Sequence, residues 1–140
     1  LLSLGVIADT FETACTWAAF PTLHAAVIRA VRGAMKAHCG RGRISCRFTH
    51  VYPDGPAPYY TWIAPADRPR ALEQWAAVKA AASQALLAHG GTITHHHAVG
   101  RIHREAWAEQ RPRPFGPALA AVKRTLDPAN LMNPGALLSP

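Results

Sequence analysis

Apolar side chains recur at three- and four-residue steps between Trp17 and His38, and this spacing predicts an amphipathic helix. Pro21 suits a first helical turn, and Gly40 and Gly42 follow the last apolar position, so both ends carry the expected signals. The predicted buried stripe consists of Phe20, Leu23, Val27, Val31 and Met35.

After Gly42 the period changes to two, which is typical of a strand. One predicted strand runs from Arg43 to Tyr52 and a second from Tyr59 to Ala64, with turn residues between them. The two strands should form an antiparallel, hairpin-like pair. The residues predicted on one face of the first strand are Ile44, Cys46, Phe48, His50 and Tyr52.

A second long helix is predicted from a cap at Asp67 to the glycine pair at Gly90. Shorter helices are predicted from Arg101 to Gln110 and from Pro117 to Leu126, before a tail rich in turn formers. The expected buried stripe of the long helix is Leu72, Trp75, Ala82 and Leu86.

This order of elements indicates an α+β fold in which helices cover one face of a small antiparallel sheet. Two strands rarely make a stable sheet alone, so further strands are expected before Leu1 or from Gly91 to Thr94. Asp9 to Thr13 reads as an extended lead-in. A chain of 140 residues is long enough for one domain spanning positions 1–140.

The charge balance favours an anionic partner, because 15 Lys and Arg stand against 8 Asp and Glu. The basic residues are scattered and lack interleaved aromatic residues, so nucleic acid is not the expected partner. No apolar run approaches the roughly 20 residues of a membrane-spanning helix. Three cysteines without a CxxC pair indicate reduced, structural thiols.

Three consecutive histidines, His95, His96 and His97, form the most unusual feature of the chain. Imidazoles titrate near neutral pH, which suits them to move protons. In extended backbone, His96 would point away from the other two, so we expect no metal site here. A solvated loop and a metal site completed by a distant ligand remain as alternatives.

Other residues could carry chemistry near such a loop. Tyr59 and Tyr60 are adjacent on a strand, so one must face the core and the other could act as an acid or base. Arg101 and Arg104 follow Gly100, where they fit either a phosphate site or a solvated helix face. Arg43 and Arg47 are interpreted as rim residues with a weaker claim on an anion, and Asn133-Pro134-Gly135 as a turn.

Several of these segments together resemble a known family. Thr10-Phe11-Glu12-Thr13, Tyr52-Pro53-Asp54-Gly55 with Tyr59, the segment from Gly90 to Gly100, and Leu126-Asp127-Pro128-Ala129-Asn130 resemble the cap region of the alkyldihydroxyacetonephosphate synthases. These enzymes belong to the vanillyl-alcohol-oxidase group of FAD proteins. The resemblance implies a ferredoxin-like C-terminal cap domain whose FAD-binding domain lies upstream, outside these 140 residues.

The resemblance also implies an activity. Such enzymes exchange the acyl group of acyl-dihydroxyacetone phosphate for a fatty alcohol, and their FAD does no net redox work. It implies that Tyr59 is the acid/base and that the three histidines line the site. FAD contacts would come from His96, His97 and Asn133, and the substrate phosphate would meet Arg101 and Arg104.

Two other functions remain open. Lactate- and glycolate-type dehydrogenases share this region, but with Gly-Glu-His in place of the three histidines, and Asn133-Pro134-Gly135 is similar to their tail. A basic, histidine-rich metal-binding module is the other alternative.

The expected partners are an upstream FAD-binding domain, a phosphorylated lipid precursor and a fatty alcohol, with peripheral membrane contact and a homodimer as further expectations. We expect a cytoplasmic protein, or a peroxisomal one in a eukaryote, and no turnover from these 140 residues alone.

Overall fold

A three-stranded antiparallel sheet organises the region from Leu1 to His97 in a computed structural model, which describes residues 1–138. Strand β1 spans Val6–Glu12, β2 spans Arg43–Val51 and β3 spans Pro56–Pro65. The strand order is β1-β3-β2, so β3 is central and pairs with both neighbours. The expected hairpin of β2 and β3 is confirmed.

The third strand comes from Val6–Glu12, so the expectation of a strand from Gly91 to Thr94 is wrong, and a strand before Leu1 stays a prediction. Val6–Glu12 pairs with β3, whereas Gly91 to Thr94 has no strand structure. Asp9 interrupts the alternation of apolar and polar residues in β1, because this polar residue lies on the same face as Phe11. Its carboxylate accepts hydrogen bonds from Trp75 Nε1 and Lys79 Nζ, both at 2.8 Å, which makes a polar residue tolerable there.

Two long helices pack against one face of the sheet, as predicted. Helix α1 spans Phe20–Cys39 and α2 spans Ala71–Ala88. The side chains of α1 that are buried are Leu23, Val27, Val31 and Met35, in agreement with the predicted stripe except at Phe20, which is partly buried. They share a core with Ile7, Phe11, Tyr60, Trp62, Val78, Ala82 and Leu86.

The predicted stripe of α2 is wrong at its first position, because Leu72 is 82% exposed. Ala71 and Val78 are buried instead, and Leu72 is turned about 100° away from Ala71 on the helix. Ala82 and Leu86 are buried as predicted. Asp67 precedes a short 3-10 turn at Arg68–Arg70 and makes no side-chain capping bond. The α-helix therefore begins four residues after the predicted cap.

Strand β3 alternates between the core and an open face. Tyr60 and Trp62 have no exposed surface and Ala64 is 4% exposed, whereas Thr61 and Ile63 on the opposite face are exposed. Tyr59 shares the face of Thr61 and is partly buried. We call this second surface, formed by Tyr59, Thr61 and Ile63 with their partners on β1 and β2, the open face.

A bulge in β2 changes which residues join the open face. Phe48 lies opposite Pro58 and His50 opposite Ala57, so Thr49 is an extra residue in the pairing. Because Ala57 and Tyr59 share a face, His50 lies on the open face, and its predicted position beside Phe48 is wrong. The Thr49 hydroxyl donates to the Ala57 carbonyl at 3.2 Å.

The region from Ala98 onward forms a second compact unit with two helices. Helix α3 spans Arg104–Gln110 and α4 spans Phe115–Leu126, close to the predicted ranges except that α3 begins after Arg101. Asp127 ends α4 and accepts hydrogen bonds from Lys123 Nζ and two backbone N–H groups of the tail. Within residues 1–138, no helix has the length and apolarity needed to cross a membrane.

Candidate functional site

A buried carboxylate at the end of β1 holds the histidine loop in place. Glu12 is 3% exposed, and its Oε1 accepts hydrogen bonds from the backbone N–H groups of His96 and His97, the second at 3.0 Å. Two N–H donors to one buried carboxylate satisfy its charge without a cationic side chain. The loop is therefore positioned through its backbone, and its imidazoles are available for other contacts.

The glycine pair allows the loop to start close to the core. Gly90 has a positive φ of 73°, and Gly91 lies so close to Leu23 and Thr13 that a Cβ atom would be 2.7 Å from each. Thr92 follows, exchanging hydrogen bonds with Ala14 through its backbone N–H and its hydroxyl at 3.0 and 2.8 Å. These contacts place the following histidines at the end of the sheet where Glu12 lies.

His95 and His96 come together with a third imidazole from β2. Their ring centroids are 4.0 Å apart, and the His50 ring is 4.3 Å from His96 and 6.0 Å from His95. The expectation that these neighbours in the loop point to opposite sides is wrong, because the loop is not extended. We call His50, His95 and His96 the triple-histidine cluster.

The surroundings of His95 in this cluster favour its neutral form. Burial lowers the pKa of His95, and the neighbouring imidazoles of His96 and His50 lower it further, while the Glu12 carboxylate acts in the opposite direction. His95 Nδ1 is buried and has no hydrogen-bond partner among residues 1–138. His96 differs, since its ring is about half exposed and its Nδ1 lies 3.7 Å from the Glu12 carboxylate.

His97 lies apart from the cluster and contacts Tyr59. The two ring centroids are 5.6 Å apart with their planes nearly perpendicular. The guanidinium of Arg47 lies 4.9 Å from the Tyr59 ring centroid, and the Tyr59 hydroxyl donates to Thr10 Oγ1 at 3.0 Å. An imidazole, a cation and an oriented phenol therefore meet on the open face, where they can exchange protons and bind an anion.

Tyr60 has the opposite environment, as expected for the tyrosine that faces the core. Burial raises the pKa of Tyr60 strongly, and the nearby Cys46 thiol adds to this effect, so the phenol stays protonated. It stacks on Phe11 and its hydroxyl lies 3.2 Å from His24 Nδ1. The structure thus places Tyr59 on the open face and Tyr60 in the core, and the acid/base role of Tyr59 stays a prediction.

The other predicted site residues lie in the second unit and hold its tail. Arg101 Nη2 donates to the Pro134 carbonyl at 2.7 Å, and Arg104 Nη1 donates to the Gly135 carbonyl at 2.8 Å. Asn133, predicted to contact the cofactor, has a positive φ of 49° in the same turn. These arginines therefore fix the turn that contains Asn133, and their predicted phosphate contact stays a prediction.

Sequence reasoning assigned no role to Glu12 or His50, and it placed Arg47 at the rim. Glu12 accepts hydrogen bonds from residues that lie 84 and 85 positions later in the chain, and no local sequence pattern predicts such a contact. His50 was recognisable as a titratable side chain, but the bulge hid its face. Arg47 could have been found by register, because it lies directly opposite Tyr59.

Comparisons with known proteins agree with this architecture. The family described as FAD linked oxidases, C-terminal domain, matches residues 1–137. The alkyldihydroxyacetonephosphate synthase of Trypanosoma brucei brucei is 32% identical over 132 residues, covering 94% of this chain and 21% of that protein. The synthase of Caenorhabditis elegans is 34% identical over 131 residues, covering 91% and 22%.

Solved structures show the same fold. A structure of alkyldihydroxyacetonephosphate synthase superposes with a TM-score of 0.67 at 19% identity, covering 96% of this chain and 21% of that one. A second structure of such a synthase gives a TM-score of 0.58 at 18% identity. The chain spans about a fifth of the length of these relatives. By its match over residues 1–137, the chain belongs to the C-terminal domain family of the FAD linked oxidases.

Proposed function

We propose that the chain is the substrate-facing C-terminal part of an FAD-dependent alkyldihydroxyacetonephosphate synthase. The observation that carries this proposal is the group on the open face, where Tyr59 lies between His97 and Arg47 beside a loop anchored on Glu12. The names of the relatives give the reaction class. The reaction replaces the acyl group of acyl-dihydroxyacetone phosphate by a fatty alcohol and releases a fatty acid.

Tyr59 is the residue that moves the proton at the reacting carbon. Its hydroxyl donates to Thr10, so the phenol oxygen has a fixed direction on the open face. The edge-on ring of His97 provides a neighbouring group that can take up or return a proton. Arg47 adds a permanent positive charge near the ring, which suits an anionic substrate.

The donor set at the loop fits a flavin. His96 and His97 are exposed, and together with Arg47 they offer N–H groups to the electron-rich polar edge of such a ring system. These residues would contact FAD supplied by an upstream domain, as would Asn133 from the second unit. When bound, FAD supplies a ring that accepts electron density from the substrate during the exchange.

The basic residues of the second unit bind the phosphate in this proposal. Arg101 and Arg104 each give one N–H group to a tail carbonyl, but a guanidinium carries five donors and can hold a phosphate oxygen as well. The excess of 15 Lys and Arg over 8 Asp and Glu is consistent with a phosphorylated lipid precursor.

An assay of the longer protein that contains this chain tests the proposal. With acyl-dihydroxyacetone phosphate and an isotopically labelled fatty alcohol, we expect label in the ether product and one fatty acid released per ether formed. Bleaching of the flavin by a 2-hydroxy acid, with electrons passed to an acceptor and no ether formed, would establish the dehydrogenase alternative instead. These 140 residues alone should show no turnover.

A further inference from the structure

The triple-histidine cluster has the composition and geometry of a metal site. One ring nitrogen from each of His50, His95 and His96 lies within 4.8 Å of the others. We propose that these three imidazoles bind a divalent transition-metal ion, with Zn²⁺ as the best match. The proposal rests on the cluster and not on Tyr59, and when His96 holds a metal, the FAD contact beside the loop falls to His97 and Arg47.

The distances are close to those of a bound ion. Zinc binds imidazole nitrogen at about 2.0–2.1 Å, so two nitrogens of a tetrahedral site lie about 3.4 Å apart. A contraction of at most about 1.4 Å would therefore complete the site. His50 and His96 are exposed, so rotation of their side chains can supply this shift without disturbing the core.

The surroundings of two of the ligands also point to a cation. His95 Nδ1 is buried without a hydrogen-bond partner among residues 1–138, and metal coordination would satisfy a ring in such a position. His96 Nδ1 faces the Glu12 carboxylate at 3.7 Å, which leaves Nε2 for the metal. A carboxylate behind a ligating histidine fixes its tautomer and increases its basicity.

The third ligand is held by its own neighbours. The Tyr52 ring stacks on His50 with centroids 5.8 Å apart and an interplanar angle of 6°, and it meets His95 edge-on at 5.8 Å. Three imidazoles leave the fourth tetrahedral position to water or another ligand. A bound ion would join β2 to the histidine loop, and the loop would then be fixed by metal as well as by Glu12.

Zinc titration of the metal-free, longer protein tests this site. We expect one equivalent of Zn²⁺ per chain by calorimetry and by elemental analysis after dialysis. His50→Ala should weaken binding by at least about 100-fold, since the loss of a mere supporting residue already costs about 10- to 100-fold. His89→Ala is the matched control, because His89 is an exposed histidine outside the cluster and should bind zinc as the wild type does.

Equal zinc affinity in the wild type and His50→Ala would overturn the proposal. It would also be overturned if each chain bound several zinc ions weakly and neither His50→Ala nor His89→Ala changed that binding. Co²⁺ provides a second test, because tetrahedral coordination gives it an intense visible absorption. That absorption should appear in the wild type and in His97→Ala, whose ring lies on Tyr59, and be absent from His50→Ala. Its loss in His97→Ala with retention in His50→Ala would refute this ligand set.

Discussion

The two faces of strand β3 separate structure from chemistry within one segment. Tyr60 and Trp62 are fully buried under α1 and α2 among mostly apolar side chains, and the Tyr60 hydroxyl contacts His24. Tyr59, one residue earlier, meets an imidazole, a guanidinium and a hydroxyl. Because successive residues of a strand face opposite sides, one rigid element supports the fold and presents the candidate site.

This arrangement has a physical advantage for a reacting group. The buried face keeps β3 from shifting, since a slip of one residue would expose Trp62 and bury polar side chains. Tyr59 lies on the same rigid strand although it is only partly buried. Substitutions on the core face should therefore alter stability, and substitutions on the open face should alter activity.

Removing the Tyr59 hydroxyl should have the largest effect. In the longer protein, Tyr59→Phe should lower turnover by about 10²- to 10⁴-fold, because the proton-transferring group is lost. Loss of the hydrogen bond to Thr10 should lower the free energy of unfolding by only about 1 kcal/mol. The label-exchange assay measures the first quantity and urea denaturation the second.

Tyr60→Phe is the matched control for that change. It removes one hydroxyl from the adjacent position and the contact with His24, so it should cost about 1 kcal/mol of stability and leave turnover near that of the wild type. A Tyr59→Phe enzyme as active as Tyr60→Phe would contradict the proposed role of the open face.

The next largest effect should come from truncating the largest core side chain of β3, and it should appear as a loss of stability. Trp62→Ala should reduce the free energy of unfolding by about 3–5 kcal/mol, because it leaves a cavity in the packed core. Ile63→Ala, one residue away and 43% exposed, should cost about 1 kcal/mol or less. Denaturant titrations of both variants check the contrast, and similar losses would show that both faces are packed.

A change at Gly91 tests how firmly the histidine loop depends on the core. Gly91→Ala should cost about 1–3 kcal/mol, because the new methyl group would meet Leu23 and Thr13. Gly33→Ala, in a helix with open space around it, should instead stabilise by about 0.5–1 kcal/mol. Thermal denaturation followed by circular dichroism distinguishes the two signs, and stabilisation by both changes would argue against close docking of the loop.

The smallest expected effect is a pH dependence from His95. Its pKa in the folded state is below the ordinary 6.5, so the unfolded chain takes up the proton first and acidification favours unfolding. Stability should fall as the pH drops through 6.5 and level off below the folded-state pKa. His95→Gln should flatten this decline in metal-free buffer, whereas His89→Gln should retain it; unfolding curves across the pH range give the comparison.

The sequence was sufficient for features that follow a local period. The stripe of α1 and the pairing of β2 with β3 were predicted from spacing alone, and adjacency already required one tyrosine to enter the core. The position of Leu72 was not predictable in this way, because α2 begins later than the apparent cap at Asp67. The error is confined to the first turn, since Ala82 and Leu86 are buried as predicted.

The candidate site was only partly predictable for a different reason. Its histidines were evident as a motif, but Glu12 holds them through backbone N–H groups, which leave no trace in residue types. Strand β1 was missed because Asp9 interrupts its apolar face, and the compensating Trp75 and Lys79 come from α2. Both contacts join distant parts of the chain and require the fold itself.

The extra residue at Thr49 makes the chemistry of the β2 end sensitive to the length of the chain as well as to its composition. Inserting one further residue between Thr49 and His50 would move His50 one position along the pairing, from beside His96 to the side of Phe48, with no histidine replaced, whereas deleting Thr49 would remove the bulge and leave His50 opposite Ala57. Tyr59 and Arg47 lie before that point in the pairing and would keep their register. A single-codon insertion at this point would therefore remove the histidine cluster during evolution while leaving the tyrosine site intact.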